Sequence, residues 1–159
     1  MEKLPLKKEI ATFAAGCFWH VELAFSEVPG VLKTSVGYTG GKMKQPTYEK
    51  VCTDATGHAE AVDVTFDAAK ISYEKLLDVF FRIHDPTQIN RQGFDIGSQY
   101  RSAIFFHNDP QKKAAEAAKK RWQKKFSQPI VTEIVKQGAF YEAEEYHQKY
   151  LIKKGKRMC

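Results

Sequence analysis

The stretch TFAAGCFWHVELAF, residues 12–25, changes its hydrophobic period at a glycine. Before Gly16, successive residues alternate between two faces, which is typical of a β-strand. After Cys17, apolar side chains recur at the spacing of a helix. The stretch therefore predicts a strand that turns at Gly16 into a helix opening at Cys17.

A cysteine at the start of a helix has two interpretations. The unpaired backbone N–H groups and the positive end of the helix dipole favour an anion, which predicts a lowered pKa for Cys17 and a nucleophilic thiolate. Free cysteine is also among the most buried residue types and often packs as a small hydrophobe. The local pattern alone leaves both interpretations open.

The composition of the 159-residue chain bounds the kind of protein that it forms. A hydrophobic content of 43% supplies one core, so we expect a single domain over residues 1–159 with a flexible tail from about residue 153. No segment approaches the length of a membrane span. Three cysteines, Cys17, Cys52 and Cys159, are too few for a secreted disulfide framework and indicate thiols in the cytoplasm.

The net charge of +6 raises the alternative of a nucleic-acid-binding module. The basic residues are concentrated in KKAAEAAKKRWQKK, residues 112–125, and in KKGKR, residues 153–157. Their spacing is that of a solvated helix face, so we expect no nucleic-acid partner. A nucleic-acid module would instead show binding that weakens steeply with salt.

Four strand patterns and two helix patterns follow one another in the first two thirds of the chain. Pro29 and Gly30 supply a turn before a strand in PGVLKTSVGY, and AEAVDVTFD alternates as a third strand. ISYEKLLDVFFRIHDP has a helical stripe with Ser72 as N-cap, and QYRSAIFFH is the fourth strand. The order strand, helix, strand, strand, helix, strand predicts an α+β fold with a ferredoxin-like split βαβ core.

Two loops and a C-terminal extension complete the pattern. Residues 39–58 and 87–98 contain glycines but no apolar period, and loops of this length in a compact domain are usually functional. Beyond the core we expect additional elements: a helix in QKKAAEAAKKRWQKKF, a short strand in IVTEIVK and a closing helix over residues 140–152.

Several short motifs do not have the spacing that their chemistry needs. In GYTGGKM the glycines do not fit a phosphate loop, and Lys42 is followed by Met43. Cys17 and His20 form a C-x-x-H pair, but no second pair has structural zinc spacing, so we expect no metal site. Since the chain has five histidines, a cysteine hydrolase with a histidine base stays open.

Glu60 begins the apolar face of the third predicted strand, which it shares with Val62, Val64 and Phe66. Burial raises the pKa of a carboxyl group, so a protonated Glu60 could donate a hydrogen bond or a proton to an oxygen atom. The alternative is a strand-end residue that reaches solvent.

Five segments follow one another over nearly the whole chain: GCFWHVE (16–22), GYTGGKMKQPTYEKVCTDATGHAEAV (37–62), FRIHDPT (81–87), QGFDIGSQYRSAI (92–104) and FYEAEEYHQKYL (140–151). Together they resemble the peptide methionine sulfoxide reductases of the A class. The resemblance implies thiol-dependent reduction of the S epimer of methionine sulfoxide, in proteins and as the free amino acid. It also implies thioredoxin as the reductant, and no cofactor.

The resemblance implies a role for each candidate site residue. Cys17 would attack the sulfoxide sulfur and become a sulfenic acid, while Phe18 and Trp19 would form the pocket for the substrate methyl group. Glu60 would hold the sulfoxide oxygen as a protonated acid and donate its proton. The implied groups that assist at the same oxygen belong to Tyr48, Tyr100 and Asp95.

The resemblance implies that Cys159 resolves the sulfenic acid as a disulfide that thioredoxin reopens. The sequence departs from the family pattern here, because it stops at Cys159 without a glycine-rich tail. Cys52 is the alternative, although its place in EKVC predicts a packed residue, and glutathione or thioredoxin could attack the sulfenic acid directly. His20 stands where a small glycine is usual; it could support the Cys17 thiolate as a cation, but we expect it only to cover the cleft. We expect a monomer.

Overall fold

The computed structural model describes residues 6–153. Six strands of the described chain form one sheet, and two short strands form a hairpin. The strands are β1 (Lys8–Ala15), β2 (Val31–Thr39), β3 (Ala59–Asp67), β4 (Arg91–Gln92), β5 (Asp95–Ile96), β6 (Ser102–Phe106), β7 (Glu133–Lys136) and β8 (Phe140–Glu142). The helices are α1 (Phe18–Ser26), α2 (Tyr48–Cys52), α3 (Tyr73–Arg82), α4 (Asp109–Gln123) and α5 (Tyr150–Lys153).

The order of the main sheet is β7-β6-β1-β3-β2-β8. Its central strands β6, β1, β3 and β2 are antiparallel, and α1 and α3 connect them as in a ferredoxin-like split βαβ unit. At one edge β7 pairs parallel to β6, and at the other edge β8 pairs antiparallel to β2. The predicted α+β fold is confirmed, with a C-terminal strand at each edge of the core.

The main core lies between the sheet and the helices α1 and α3. Phe13 of β1 stacks against Phe25 of α1 at 5.0 Å and against Phe80 of α3 at 5.3 Å between ring centroids. All three side chains are fully buried, which stabilises the fold by roughly 1.5–3 kcal/mol for each. This packing fixes the angle at which α1 leaves β1.

The turn between β1 and α1 matches its sequence pattern. Gly16 has a φ of +100°, a conformation that side-chain-bearing residues rarely adopt, and Cys17 is the N-cap residue of α1. Ser72 caps α3 as predicted, because its hydroxyl accepts a hydrogen bond from the backbone N–H of Lys75 at 3.2 Å. These local signals placed both helix starts correctly.

Two predicted segments differ from the structure. Residues 39–58 contain the short helix α2, whose first turn is capped by the Thr47 hydroxyl. Residues 140–152 are not one helix: they form β8, a single 3₁₀ turn over Glu145–His147, and then α5. The physical reason is that β8 pairs with the edge of β2, and Lys149, at a φ of +55°, interrupts any continuous helix.

Within residues 6–153, no helix has the length and apolar character needed to cross a bilayer. The predicted tail beyond residue 153, with Cys159, lies outside the described residues.

Candidate active site

Cys17 lies at the junction of β1 and α1 with a half-buried side chain. Burial is the main cause that raises the pKa of its thiol to about 12, and the nearby carboxyl groups of Glu60 and Asp95 contribute to this rise. Hydrogen bonds from the backbone N–H groups of Trp19 and His20 lower it by less. The predicted lowering of the Cys17 pKa is therefore wrong, because loss of hydration outweighs the helix start.

Glu60 of β3 lies beside this cysteine and is only 1% exposed. Its Oε1 accepts a hydrogen bond from the backbone N–H of Phe18 at 3.3 Å. Its Oε2 is buried and has no hydrogen-bond partner within the described residues. Glu60 thus lies on the buried face that the strand pattern predicted, and the solvent-reaching alternative is wrong.

Burial raises the pKa of Glu60 to about 8, against a smaller lowering by the Phe18 N–H group. At neutral pH the carboxyl group is therefore mostly protonated and can donate from an oxygen that has no other partner. A neutral Glu60 also removes the repulsion that its ionised form exerts on the Cys17 thiolate. The two groups therefore titrate as a coupled pair.

Two tyrosines complete the polar side of the site. Tyr48 opens α2, and Tyr100 ends the 3₁₀ turn Ser98–Tyr100 rather than lying in a strand. Burial raises the pKa of both hydroxyls, and the carboxyl group of Glu60 raises both further. Both tyrosines therefore keep their protons at neutral pH and are available as hydrogen-bond donors.

Asp95 lies in the short β4–β5 hairpin and is exposed, unlike Glu60. Its carboxyl group nevertheless raises the pKa of Cys17, of Glu60 and of Tyr100. Asp95 therefore lies within electrostatic reach of the same group of side chains, at the rim of the site.

Aromatic side chains form the other side of the site. Phe18 is 1% exposed and packs against Tyr48 and His147, with ring centroids 6.5 Å and 5.2 Å away. Trp19 is half-buried and stacks on Tyr150 at 4.0 Å. The structure thus brings an apolar wall, a thiol and a neutral carboxyl donor together at one corner of the fold.

A family model for peptide methionine sulfoxide reductase matches residues 9–159, nearly the whole chain. The chain belongs to the peptide methionine sulfoxide reductase family. It is therefore an oxidoreductase, and the family resemblance of its sequence motifs is confirmed.

Relatives and solved structures agree with this membership. The peptide methionine sulfoxide reductase MsrA of Methanosarcina acetivorans is 61% identical over 149 residues, which are 92% of this chain and 79% of that protein. The crystal structure of reduced Mxr1 from Saccharomyces cerevisiae has a TM-score of 0.91 at 37% identity, covering 99% of this chain and 92% of that one. Mxr1 in complex with Trx2 gives a TM-score of 0.67 at 30% identity, covering 94% and 89%.

The reductase also places side chains at the site that the sequence pattern did not single out. His147 is 1% exposed, and its Nδ1 accepts a hydrogen bond from the Trp19 indole at 3.0 Å. Burial lowers the pKa of His147, so the ring is neutral and its Nε2 carries the proton. The segment containing His147 was predicted as a helix, which would have aimed this ring differently.

Glu144 of the reductase was missed for the same reason. Its Oε1 accepts from the Tyr38 hydroxyl at 2.9 Å, and its Oε2 accepts from the backbone N–H of Tyr48 at 3.0 Å. Glu144 thus joins β2, the start of α2 and the segment after β8. The signal that could have identified it is the run of carboxylates inside the family motif FYEAEEYHQKYL.

The remaining histidine and cysteine candidates have other positions. His58 uses both ring nitrogens inside the loop between β2 and β3: Nδ1 accepts from the Gly41 N–H at 3.0 Å, and Nε2 donates to the Met43 carbonyl at 2.6 Å. His20 is half-buried, and burial lowers its pKa, which leaves it neutral. Neither has the geometry of a hydrolase base hydrogen-bonded to Cys17.

Cys52 of the reductase is exposed, so its predicted packing is wrong. Burial raises the pKa of its thiol, and a hydrogen bond that the sulfur accepts from the Tyr48 hydroxyl lowers this pKa by less. In residues 6–153, no group of three or more histidine, cysteine or acidic side chains is arranged to hold a metal ion.

Proposed function

We propose that this reductase reduces the S epimer of methionine sulfoxide, in polypeptides and as the free amino acid, through oxygen transfer to Cys17. The observation that carries the proposal is the buried, neutral Glu60 carboxyl, whose Oε2 has no partner within the described residues and lies beside the thiol. A sulfoxide oxygen is a strong acceptor that can use this donor. The Phe18 and Trp19 side chains supply an apolar surface for the methyl group.

The chemical step balances without an external proton. The Cys17 sulfur attacks the sulfoxide sulfur as the Glu60 proton passes to the sulfoxide oxygen, and Tyr48 and Tyr100 donate hydrogen bonds to that oxygen. The thiol proton of Cys17 passes to the Glu60 carboxylate, which is thereby restored. In the adduct that results, the hydroxyl oxygen passes from the substrate sulfur to the Cys17 sulfur as the bond between the two sulfurs breaks. Methionine leaves reduced, and Cys17 is left as a sulfenic acid.

Neutral donors suit this step better than charged ones. An ionised Glu60 would repel the thiolate character that develops on Cys17 and the polarised sulfoxide oxygen. Asp95 at the rim adds a negative charge, which favours keeping the proton on Glu60 before attack. Its proposed role is thus to assist Glu60 and not to donate itself.

The recycling half of the cycle rests on the sequence. The Cys159 thiol attacks the sulfenic acid, water leaves, and thioredoxin reduces the resulting disulfide. Tyr150 stacks on Trp19, two residues from Cys17, so the described chain comes close to the site three residues before it ends at Lys153. We propose that the six residues after Lys153, which span about 20 Å when fully extended, carry Cys159 back to Cys17.

We further propose that the protein acts as one domain in the cytoplasm, where thiols are kept reduced. The complex of Mxr1 with Trx2 supports thioredoxin as the partner that regenerates the enzyme.

The test is a comparison of the S and R epimers of a methionine sulfoxide peptide with dithiothreitol or thioredoxin as reductant. We expect reduction of the S epimer that is lost in Cys17→Ser with either reductant. Cys159→Ser should keep activity with dithiothreitol and lose it with thioredoxin, while the matched control Cys52→Ser keeps both. No activity on either epimer would overturn the proposed function, and loss in Cys52→Ser alone would make Cys52 the resolving thiol.

A further inference from the structure

The β4–β5 hairpin carries the most exposed large apolar side chains of the described residues. Phe94 is fully exposed, and Ile96 and Ile89 are 70% and 69% exposed. All three lie within eight residues of sequence, and Asp95, at the rim of the site, stands between two of them. We call Phe94, Ile96 and the preceding Ile89 the apolar tip. We propose that the apolar tip binds apolar side chains that flank the methionine sulfoxide of a polypeptide substrate. The proposal rests on the proposed function and specifies its substrate class.

The register of the hairpin gives it two different faces. Gln92 pairs with Asp95, and Arg91 pairs with Ile96, so the members of each pair share one face of the ribbon. The Gln92 side chain is half-buried, exchanges hydrogen bonds with the backbone of Asp85, and lies where a side chain on Gly16 would clash. One face therefore rests on the turn that holds Cys17, and the face with Ile96 is turned outward.

Hydrogen bonds fix the shape of the tip. The Arg91 guanidinium donates to the Gly93 carbonyl at 2.6 Å, and the Gln88 side chain accepts from the Gly93 N–H at 2.7 Å. The Gly97 N–H donates to the Asn90 carbonyl at 2.9 Å and closes the base of the hairpin. A surface that is ordered before binding loses less conformational entropy when a partner covers it.

The position of the tip identifies its occupant. Large apolar side chains that are exposed close together on a globular domain often mark a binding site. A polypeptide whose sulfoxide group lies beside Cys17 must leave the site across its rim, and the hairpin forms that rim through Asp95. Free methionine sulfoxide has no flanking residues and cannot reach the tip. The tip therefore selects polypeptides with apolar neighbours over polar peptides and the free amino acid.

The experiment measures kcat and KM with dithiothreitol, which keeps thioredoxin out of the assay. The substrates are an S-sulfoxide peptide flanked by leucine and phenylalanine, the same peptide flanked by serines, and free methionine S-sulfoxide. In the variant Phe94→Ser with Ile96→Ser, we expect kcat/KM for the apolar peptide to fall about tenfold through KM, the size of effect seen when contact residues of a binding surface are truncated. The other two substrates should keep wild-type values.

The matched control is Leu32→Ser, which removes an apolar side chain that is 44% exposed on β2. It should leave all three substrates unchanged. Equal losses for all three substrates, or no loss for the apolar peptide, would overturn the proposal. In a separate assay with thioredoxin as reductant, a double variant that raises only the KM for thioredoxin would also overturn it, as would sedimentation in which the substitutions only dissociate a dimer. If wild type reduces none of the substrates, the proposed function itself fails.

Discussion

Two carboxyl groups affect the Cys17 thiol from two different regions of the molecule. Glu60 belongs to the central strand β3 and is 1% exposed, whereas Asp95 belongs to the small hairpin and is exposed. Both raise the pKa of Cys17, and Glu60 does so more strongly. Burial, and not nearness to the thiol alone, therefore decides whether a carboxyl group in this site has a pKa high enough to stay protonated at neutral pH.

The two regions differ because of how each is held. Glu60 pairs with Tyr38 of β2, and β3 pairs with β1 from Val62 onward, so the backbone holds the Glu60 side chain in the core and away from water. The hairpin has only two residues in each strand and leaves Asp95 hydrated. The sheet thus provides a neutral proton donor, Glu60, and the hairpin provides the carboxyl group of Asp95, which raises the pKa of Glu60. Four measurements test this contrast between the two carboxyl groups.

The largest effect is expected for Glu60→Gln. Because the amide cannot transfer a proton, kcat with dithiothreitol should fall about a hundredfold or more while circular dichroism stays native. The matched control is Asp63→Asn on the same strand, since burial also raises the pKa of Asp63 but its carboxylate accepts from the Thr12 hydroxyl instead. A near wild-type rate for Glu60→Gln would contradict the role of the buried acid.

The second effect is on stability and follows from the raised pKa of Glu60. Its folded pKa of about 8 lies above the ordinary value of 4.5 for a glutamic acid. Its contribution to stability is therefore present below the unfolded pKa and is lost as the pH rises through the folded pKa. At about pH 9, Glu60→Gln should raise the free energy of unfolding by at least ~2 kcal/mol, since glutamine buries no charge. In urea unfolding, the control Asp95→Asn should have the same free energy of unfolding as wild type. If Glu60→Gln gains as much free energy of unfolding at about pH 5 as at about pH 9, ionisation of Glu60 is not the cause of the gain.

The third effect is the pH dependence of the rate. Since Glu60 must carry its proton, kcat of the wild type should fall above about pH 8, approaching tenfold for each pH unit. In Glu60→Gln this alkaline fall should disappear from the residual activity. Rates of both proteins across the pH range test this, and an identical fall in both would assign it to another group.

The smallest effect is expected for Asp95→Asn. Removing its charge lowers the pKa of Cys17, so alkylation of this thiol at neutral pH should speed up roughly threefold. The measurement uses a background in which Cys52 and Cys159 are replaced by serine, with Asp109→Asn on α4 as a control for the charge change. A larger acceleration than that caused by Glu60→Gln in the same background would reverse the ranking of the two carboxyl groups.

Much of the site follows from local sequence patterns. The change of period at Gly16 and the alternation after Ala59 depend on neighbouring residues alone, and they located Cys17 and the buried face of Glu60 correctly. The strand and helix order also predicted the ferredoxin-like core, because each element of that core has a strong period of its own.

The rest depends on contacts between distant segments. Residues 140–152 have a helical pattern, yet pairing of β8 with β2 outweighs it, so the positions of Glu144 and His147 could not be predicted. The pKa of Cys17 likewise depends on how completely other segments cover it, which the helix start does not reveal. Cys52 was predicted to pack because of its place in EKVC near the start of a strand. In the short helix α2, Val51 is the fully buried residue and Cys52 is exposed.

The hydrogen bonds that hold Gln148 and Lys149 against the rest of the fold have a kinetic consequence. Gln148 exchanges hydrogen bonds with both backbone groups of Val36, and the buried Glu22 carboxylate accepts from the backbone N–H of Lys149 at 2.5 Å. These bonds hold the segment that directly precedes residues 154–159. In the proposed cycle, the Cys159 thiol is joined through the chain to this segment, six residues beyond Lys153, and therefore meets Cys17 at a high effective concentration. In that cycle, disulfide formation depends on the number of intervening residues and not on the thiol concentration of the surrounding solution.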